Sequence, residues 1–147
     1  MMYALRLEAQ LTATVEEAWS AWSDMTRFPE WDPREEIMRL DGPFAVGTTG
    51  FSKQTGPRAG GPIKITLIER PARYVVETPL PGGKLELDHL IEDAGDGRTR
   101  LVKRYLVQGP MALAFRLVFA KSIRAEMPAT FAALEREIAR SRVTTGA

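Results

Sequence analysis

The feature that most constrains the fold is a change of hydrophobic period at Gly109-Pro110. Upstream, apolar and polar residues alternate, which is typical of strands with one face exposed to water. Downstream, from Met111 to about Arg140, apolar residues recur every three or four positions, which is typical of an amphipathic helix. The chain is therefore predicted to form a series of strands followed by one long helix.

In residues 34–108, the spacing of turn-forming residues predicts an antiparallel meander of about six strands. Clusters of glycine and proline, as in the 55–62 loop, separate the alternating segments, and Asp93–Gly97 suits a hairpin turn. Alternation places two sets of side chains on the face predicted to point inward. They are Leu85, Leu87, His89 and Ile91 on one strand, and Leu101, Lys103, Tyr105 and Val107 on the next.

A short helix is predicted after the first strand, which covers residues 3–11. Thr14 and Glu17 have the spacing of a capping box, and Trp19 and Trp22 follow at helical spacing as predicted core residues. Two prolines make residues 28–33 an irregular stretch. In the last helix, Pro128 predicts a kink or a break near Glu126, and residues 143–147 are predicted to fray.

Composition restricts the function classes. At 147 residues the chain suits a single domain, residues 1–147, and its 20 basic and 19 acidic residues are scattered, which disfavours nucleic acid binding. The absence of cysteine and the single histidine, His89, exclude thiolate chemistry and sites that need two imidazoles. No metal or cofactor is expected. Lacking a signal peptide or an apolar span, the chain is predicted to be cytoplasmic, without integral membrane association.

The element order predicts a hollow interior. A twisted antiparallel sheet of this size curls. A helix of about 28 residues would be about 42 Å long but only about 10 Å wide. One such cylinder would not fill the concave side of the sheet. We therefore expect a hydrophobic cavity between the sheet and the helix.

The sequence resembles the START-like or Bet v 1-like superfamily (SRPBCC), in its bacterial polyketide cyclase/dehydrase-type branch. The segments that carry the resemblance extend over most of the chain: Val15-Glu-Glu-Ala-Trp19, Asp24, Trp31, Val46-Gly47, Ile65–Ala72, Leu87-Asp-His89, Gly95–Thr99 and Phe131–Glu135. The resemblance implies an α+β helix-grip fold, in which a curved antiparallel sheet of about seven strands wraps around a long kinked C-terminal helix. It also implies binding of hydrophobic or amphipathic molecules such as lipids, sterols, polyketides or hormones. Because the same fold hosts cyclases, dehydratases, cofactor carriers and chaperone-like activators, function must be inferred from the site.

The candidate site combines an apolar lining with a few polar groups. The predicted ligand-binding residues are Phe28, Trp31, Phe51, Ile65, Tyr74, Leu87, His89, Tyr105, Phe115, Phe119, Ile123 and Met127. His89 and Tyr105 are also the catalytic candidates, because an inward histidine can transfer protons and a phenol can polarise a carbonyl. The alternative is that His89 is a buried structural residue.

Three other features each allow a functional and a structural interpretation. Lys103 is expected either to reach solvent at the open end of the sheet or to meet an acidic group. The 55–62 loop is either a lid or a plain connection. The adjacent acidic pairs Glu16-Glu17, Glu35-Glu36 and Glu92-Asp93 are interpreted as solvated surface, because neighbouring side chains point in different directions.

Three functions remain open. The first is a carrier or sensor of a hydrophobic small molecule. The second is a cyclase or dehydratase that uses His89 and Tyr105. The third is an interaction module or homodimer whose outer sheet face presents Val75, Val102 and Leu106.

Overall fold

The computed structural model of the protein describes residues 1–144, which contain seven strands and a long C-terminal helical run. The N-terminal half comprises β1 (Met2–Thr12), α1 (Val15–Trp22), a 3-10 turn (Met25–Arg27), α2 (Phe28–Trp31), β2 (Glu35–Leu40), β3 (Thr49–Gln54) and β4 (Gly61–Glu69). The C-terminal half comprises β5 (Arg73–Leu80), β6 (Gly83–Gly95), β7 (Arg98–Gln108), α3 (Met111–Ala114), a π-helical segment (Phe115–Phe119) and α4 (Ala120–Thr144).

All seven strands form one antiparallel sheet in the order β1-β7-β6-β5-β4-β3-β2. The first strand therefore closes the meander by pairing with the last, and the core lies between the concave face of the sheet and α4. The predicted helix-grip fold is confirmed. Within residues 1–144, no helix has both the length and the apolar content needed to cross a membrane.

The capping box at the start of α1 is present as predicted. The Glu17 backbone N–H donates to the Thr14 hydroxyl at 3.1 Å, and the Thr14 backbone N–H donates to the Glu17 carboxylate at 2.9 Å. These bonds satisfy N–H groups that a helix start leaves unpaired. The cap fixes the orientation of α1, so that Trp19 and Trp22 are buried in the core.

The C-terminal helical run does not break near Glu126, one of the two predicted outcomes, and a kink there stays a prediction. Pro128 lies inside α4, on an exposed side, without splitting the helix. The break in α-helical geometry is the π-helical segment upstream, where the turn widens. Helix α4 continues to Thr144, so the predicted fraying is wrong for residues 143 and 144, and residues 145–147 lie outside the described part of the chain.

Two of the three residues predicted to form an apolar patch on the outer face of the sheet are not exposed there. Val75 and Val102 are buried, whereas Leu106 is half-buried. The neighbour opposite Val75 is Asp88, which is buried and accepts hydrogen bonds from Arg73 and Arg104. An ion-pair network therefore lies on the part of the outer face where the sequence predicted exposed apolar side chains.

Candidate functional site

A β-bulge at the start of β2 turns one glutamate into the interior. The β2–β3 pairing matches Glu35 with Gln54 but Ile37 with Lys53, so Glu36 is an extra residue on β2. An extra residue in one strand inverts the alternation beyond it. Glu35 is consequently buried, whereas Glu36 stays exposed and pairs with Lys53 at 3.0 Å. The interpretation of both glutamates as solvated surface is wrong for Glu35.

Glu35 is a buried acid with one unsatisfied oxygen. The residue is only 8% exposed, and its Oε2 atom has no hydrogen-bond partner among the described residues. The pKa of this carboxyl is raised to about 7, chiefly by burial and also by Asp32, although Lys103, Arg34 and a hydrogen bond with Gln54 lower it. A carboxyl with this pKa can both donate and accept a proton near neutral pH.

Lys103 faces Glu35 across the interior without forming an ion pair with it. The lysine is paired with His89 across β6 and β7, is 8% exposed, and holds its Nζ atom 5.3 Å from the centre of the Tyr105 ring. Among the described residues, none accepts a hydrogen bond from this ammonium. Of the two alternatives for Lys103, the second describes the structure better, because the residue is largely buried and interacts electrostatically with Glu35.

Arg34 connects this interior to the surface. Its Nη1 atom donates to the Tyr105 hydroxyl at 3.2 Å, and its Nε atom donates to Glu126 on α4 at 2.9 Å. Burial alone would lower the pKa of Arg34, but Tyr105 and Glu126 offset this effect and leave the pKa raised. Because the Tyr105 oxygen accepts from Arg34, the phenolic proton remains available for another acceptor.

A cavity of about 230 Å³ opens above Arg34. Its border is formed by Pro33, Arg34, Thr55, Arg58, Glu126 and Ala129. Arg58, in the connection between β3 and β4, donates to the hydroxyl of Ser122 on α4 at 2.9 Å. The 55–62 loop therefore contacts the helix and closes one side of the opening; its action as a lid stays a prediction.

His89 lies in a densely packed aromatic cluster. Its ring stacks on Tyr74 with centroids 4.0 Å apart and meets the edge of Trp22 at 4.9 Å. Its Nδ1 atom lies 3.3 Å from the Tyr74 carbonyl oxygen, and the Tyr74 hydroxyl donates to the carbonyl of Trp22. Burial, reinforced by Lys103, lowers the pKa of His89 well below its usual value, so the imidazole is neutral at pH 7.

The remaining predicted lining residues divide into two groups. Those that pack in the core between sheet and helix are Phe28, Ile65, Leu87, Phe115, Phe119, Ile123 and Met127. Phe51 instead lies on the outer face, where it pairs with Pro62 and Arg39, because its neighbour Gly50 has the inward position. Trp31 faces a separate surface cavity of about 420 Å³ between α1 and the C-terminal part of α4.

The large apolar cavity predicted from the element order stays a prediction. The three cavities bordered by Trp31, by Arg34 and by Asp93 are not lined by Tyr74, His89 or Phe115. Aromatic rings occupy the part of the interior around His89. Glu35 and Lys103 border this aromatic cluster, because Lys103 pairs with His89 across the sheet and the charge of Glu35, after burial, raises the pKa of the Tyr74 hydroxyl.

Sequence reasoning missed Asp32, Arg34, Glu35 and Glu126. One signal was present, because an inward lysine on β7 requires a buried partner. The bulge that supplies the partner has no sequence signature of its own, since Glu35-Glu36-Ile37 gives no sign of an extra residue.

The fold recurs in several proteins of known structure. The aromatase/cyclase Zhui from a Streptomyces species superimposes with a TM-score of 0.77 at 13% identity, covering 99% of both chains. Norcoclaurine synthase from Thalictrum flavum gives 0.74 at 13% identity over 95% of this chain and 88% of that one. A START superfamily protein from Mycobacterium smegmatis gives 0.71 at 15% identity over 93% and 97%. At these identities the similarity establishes the fold alone.

No curated protein sequence matches the chain significantly. The family model described as polyketide cyclase/dehydrase and lipid transport matches residues 2–139, which is nearly the whole chain. This match agrees with the seven-stranded sheet, the long C-terminal helix and the structural relatives. The chain belongs to the family described as polyketide cyclase/dehydrase and lipid transport.

Proposed function

We propose that the protein binds a small amphipathic molecule whose polar group lies between Glu35 and Lys103. The observation that carries the proposal is the pair of buried, oppositely charged side chains that interact electrostatically without direct contact. Buried charges are costly unless they are hydrogen-bonded. A polar group bound between these two side chains would satisfy both.

The unsatisfied groups define the chemistry of the ligand. Lys103 and the Tyr105 hydroxyl are donors, whereas the Glu35 carboxyl accepts when ionised and donates when protonated. These three side chains fit a ligand that carries two neighbouring polar groups. One would be an oxygen that accepts hydrogen bonds, and the other a hydroxyl or another hydrogen-bond donor. The apolar part of the ligand would lie against Phe115 and Met127, which face the same interior.

Binding by an anionic aromatic dye tests the proposal. Anilinonaphthalene sulfonate should bind the wild-type protein with saturable fluorescence, and Lys103→Met should weaken this binding about tenfold, because the buried cation is lost. Lys64→Met, at an exposed position on β4, is the matched control. Equal affinity in the two variants, or amide NMR shifts confined to residues far from 34–36 and 103–105, would contradict the proposed site.

A second candidate is catalysis of proton transfer next to a carbonyl, which the pKa of about 7 at Glu35 favours. Glu35 would remove the proton while Lys103 and Tyr105 stabilise the resulting oxyanion. His89, the residue favoured by sequence, would contact a ligand only after Tyr74 or Trp22 moved.

Isotope exchange tests this second candidate without a known substrate. In heavy water, the protein should accelerate deuterium incorporation into the α-carbon of acetylacetone, measured by NMR. Glu35→Gln should abolish the acceleration, whereas His89→Phe should leave most of it. Loss of exchange in His89→Phe but not in Glu35→Gln would assign the chemistry to His89 instead.

A further inference from the structure

The first turns of the C-terminal helical run expose an unusual amount of apolar surface. Leu113, Leu117 and Val118 are 46%, 69% and 63% exposed. The π-helical segment contributes to this arrangement, since its wider turn places residues five positions apart on the same side. We call these three residues, together with Arg116 and Lys121, the α3 face.

The charge of this region is of one sign. The sequence from Gly97 to Ala125 contains no aspartate or glutamate, while Arg116, Lys121 and Arg124 are exposed on the helix. Arg124 donates to the Tyr3 hydroxyl at 3.4 Å. In the described part of the chain, Arg116 and Lys121 form no ion pair.

We propose that the α3 face docks on the surface of an anionic lipid bilayer. Apolar side chains flanked by basic ones are the pattern of helices that lie in a membrane interface. Leu113, Leu117 and Val118 would enter the headgroup region, and Arg116 and Lys121 would contact lipid phosphates. This inference does not depend on the proposed ligand site.

Charge favours a lipid surface over a second copy of the chain. A two-fold symmetric dimer joins the same patch on both partners. Pairing through the α3 face would therefore bring Arg116 and Lys121 of both copies together with no acidic residue between them. An anionic bilayer offers the complementary charge.

Docking would place the bilayer close to the interior of the protein. On the opposite side of the π-helical segment, Phe115 packs against Tyr105 with ring centroids 6.0 Å apart, and against Phe119 at 5.8 Å. The membrane and the core would therefore be separated by a single helix.

Co-sedimentation of the full-length protein with vesicles tests the inference. The wild type should bind phosphatidylcholine vesicles that contain about one third phosphatidylserine, and added salt should weaken binding. The double variants Leu117→Glu/Val118→Glu and Arg116→Glu/Lys121→Glu should each bind at least about tenfold more weakly. Val46→Glu is the matched control, because Val46 is equally exposed but lies in the β2–β3 connection.

Three outcomes would overturn the inference: no sedimentation of the wild type, equal binding to pure phosphatidylcholine, or an equal loss in Val46→Glu. A concentration-dependent dimer that light scattering detects, and that Leu117→Glu/Val118→Glu abolishes without any vesicle binding, would overturn it in favour of self-association. The dye titration separates this result from failure of the ligand site, since both double variants should bind dye as the wild type does.

Discussion

Glu35 has an environment that resists its ionisation. The carboxyl is buried beside Asp32, and neither Lys103 nor Arg34 forms an ion pair with it that would fully compensate. Ionisation therefore costs more in the folded chain than in the unfolded one. The same property that makes the residue useful for proton transfer makes it a source of instability at high pH.

Glu35→Gln should abolish part of the pH dependence of stability. The folded pKa is about 7 and the reference value is 4.5, so the folded state holds the proton more tightly. The free energy of unfolding of the wild type should therefore fall as pH rises through this range, by roughly 2.5 kcal/mol between pH 5 and pH 8. Urea denaturation at both pH values measures the effect.

The control for Glu35→Gln is the same substitution at a solvent-exposed neighbouring residue. Glu36→Gln changes the same chemical group one position away, at an exposed site, and should leave the pH dependence as in the wild type. If Glu35→Gln retained the full wild-type slope, another group would be responsible for it.

Strand alternation predicted much of the interior at the residue scale. It placed His89 and Tyr105 inward, and both are buried. It did not predict that Glu35 also faces the interior. The orientation of Glu35 depends on the bulge before Ile37, which is a property of the pairing between β2 and β3 and not of either strand alone.

At the scale of elements, the C-terminal helical run departs from regular geometry at Phe115–Phe119, while Pro128 is accommodated inside α4. A helical period in the sequence predicted the run as a whole. It did not distinguish a π-helical turn from an α-helical one, because both keep Phe115 and Phe119 within reach of the core.

Pro128→Ala should stabilise the protein. Proline inside a helix lacks the N–H of one backbone hydrogen bond and destabilises the folded state by about 3 kcal/mol relative to alanine. Proline also restricts the unfolded chain, which stabilises the protein by at most about 1 kcal/mol. The exposed site needs no repacking. We expect a gain of about 2 kcal/mol in the free energy of unfolding.

Thermal and chemical denaturation both measure this gain, with Ala125→Gly as the comparison. That exposed substitution in the same helix should lower stability by about 1 kcal/mol. A loss of stability in Pro128→Ala would mean that the proline shapes α4 for packing against the sheet.

At the scale of the whole molecule, polar contacts join the sheet to α4 around the cavity. Arg34 reaches Glu126 from the start of β2, and Arg58 reaches Ser122 from the loop between β3 and β4. Ser122 in turn donates to Glu126 at 3.2 Å, so both contacts converge on one turn of the helix. Entry to the interior by this route requires that these bonds open.

Arg58→Ala should therefore accelerate exchange of bound dye. The substitution removes the contact with Ser122 at one border of the cavity and leaves Glu35 and Lys103 unchanged. The association and dissociation rates of the dye should therefore both rise, by about threefold to tenfold, with a smaller change in affinity. Stopped-flow fluorescence measures both rates.

Lys64→Ala, on the exposed side of β4, serves as the control for removal of a surface cation. Unchanged rates in Arg58→Ala would indicate that ligands enter elsewhere, and the loop would then be a plain connection.

The single additional residue in β2 decides which of two adjacent glutamates faces Lys103. In an unbroken alternation Glu36 would share the inward face of Met38 and Leu40, and Glu35 would point to solvent. Because Glu35 pairs with Gln54 and Ile37 with Lys53, a chain without Glu36 would still pair residue 35 with residue 54 and keep that carboxyl inside. A related sequence would therefore change the polarity of this interior by substituting residue 35, and not by losing the extra residue.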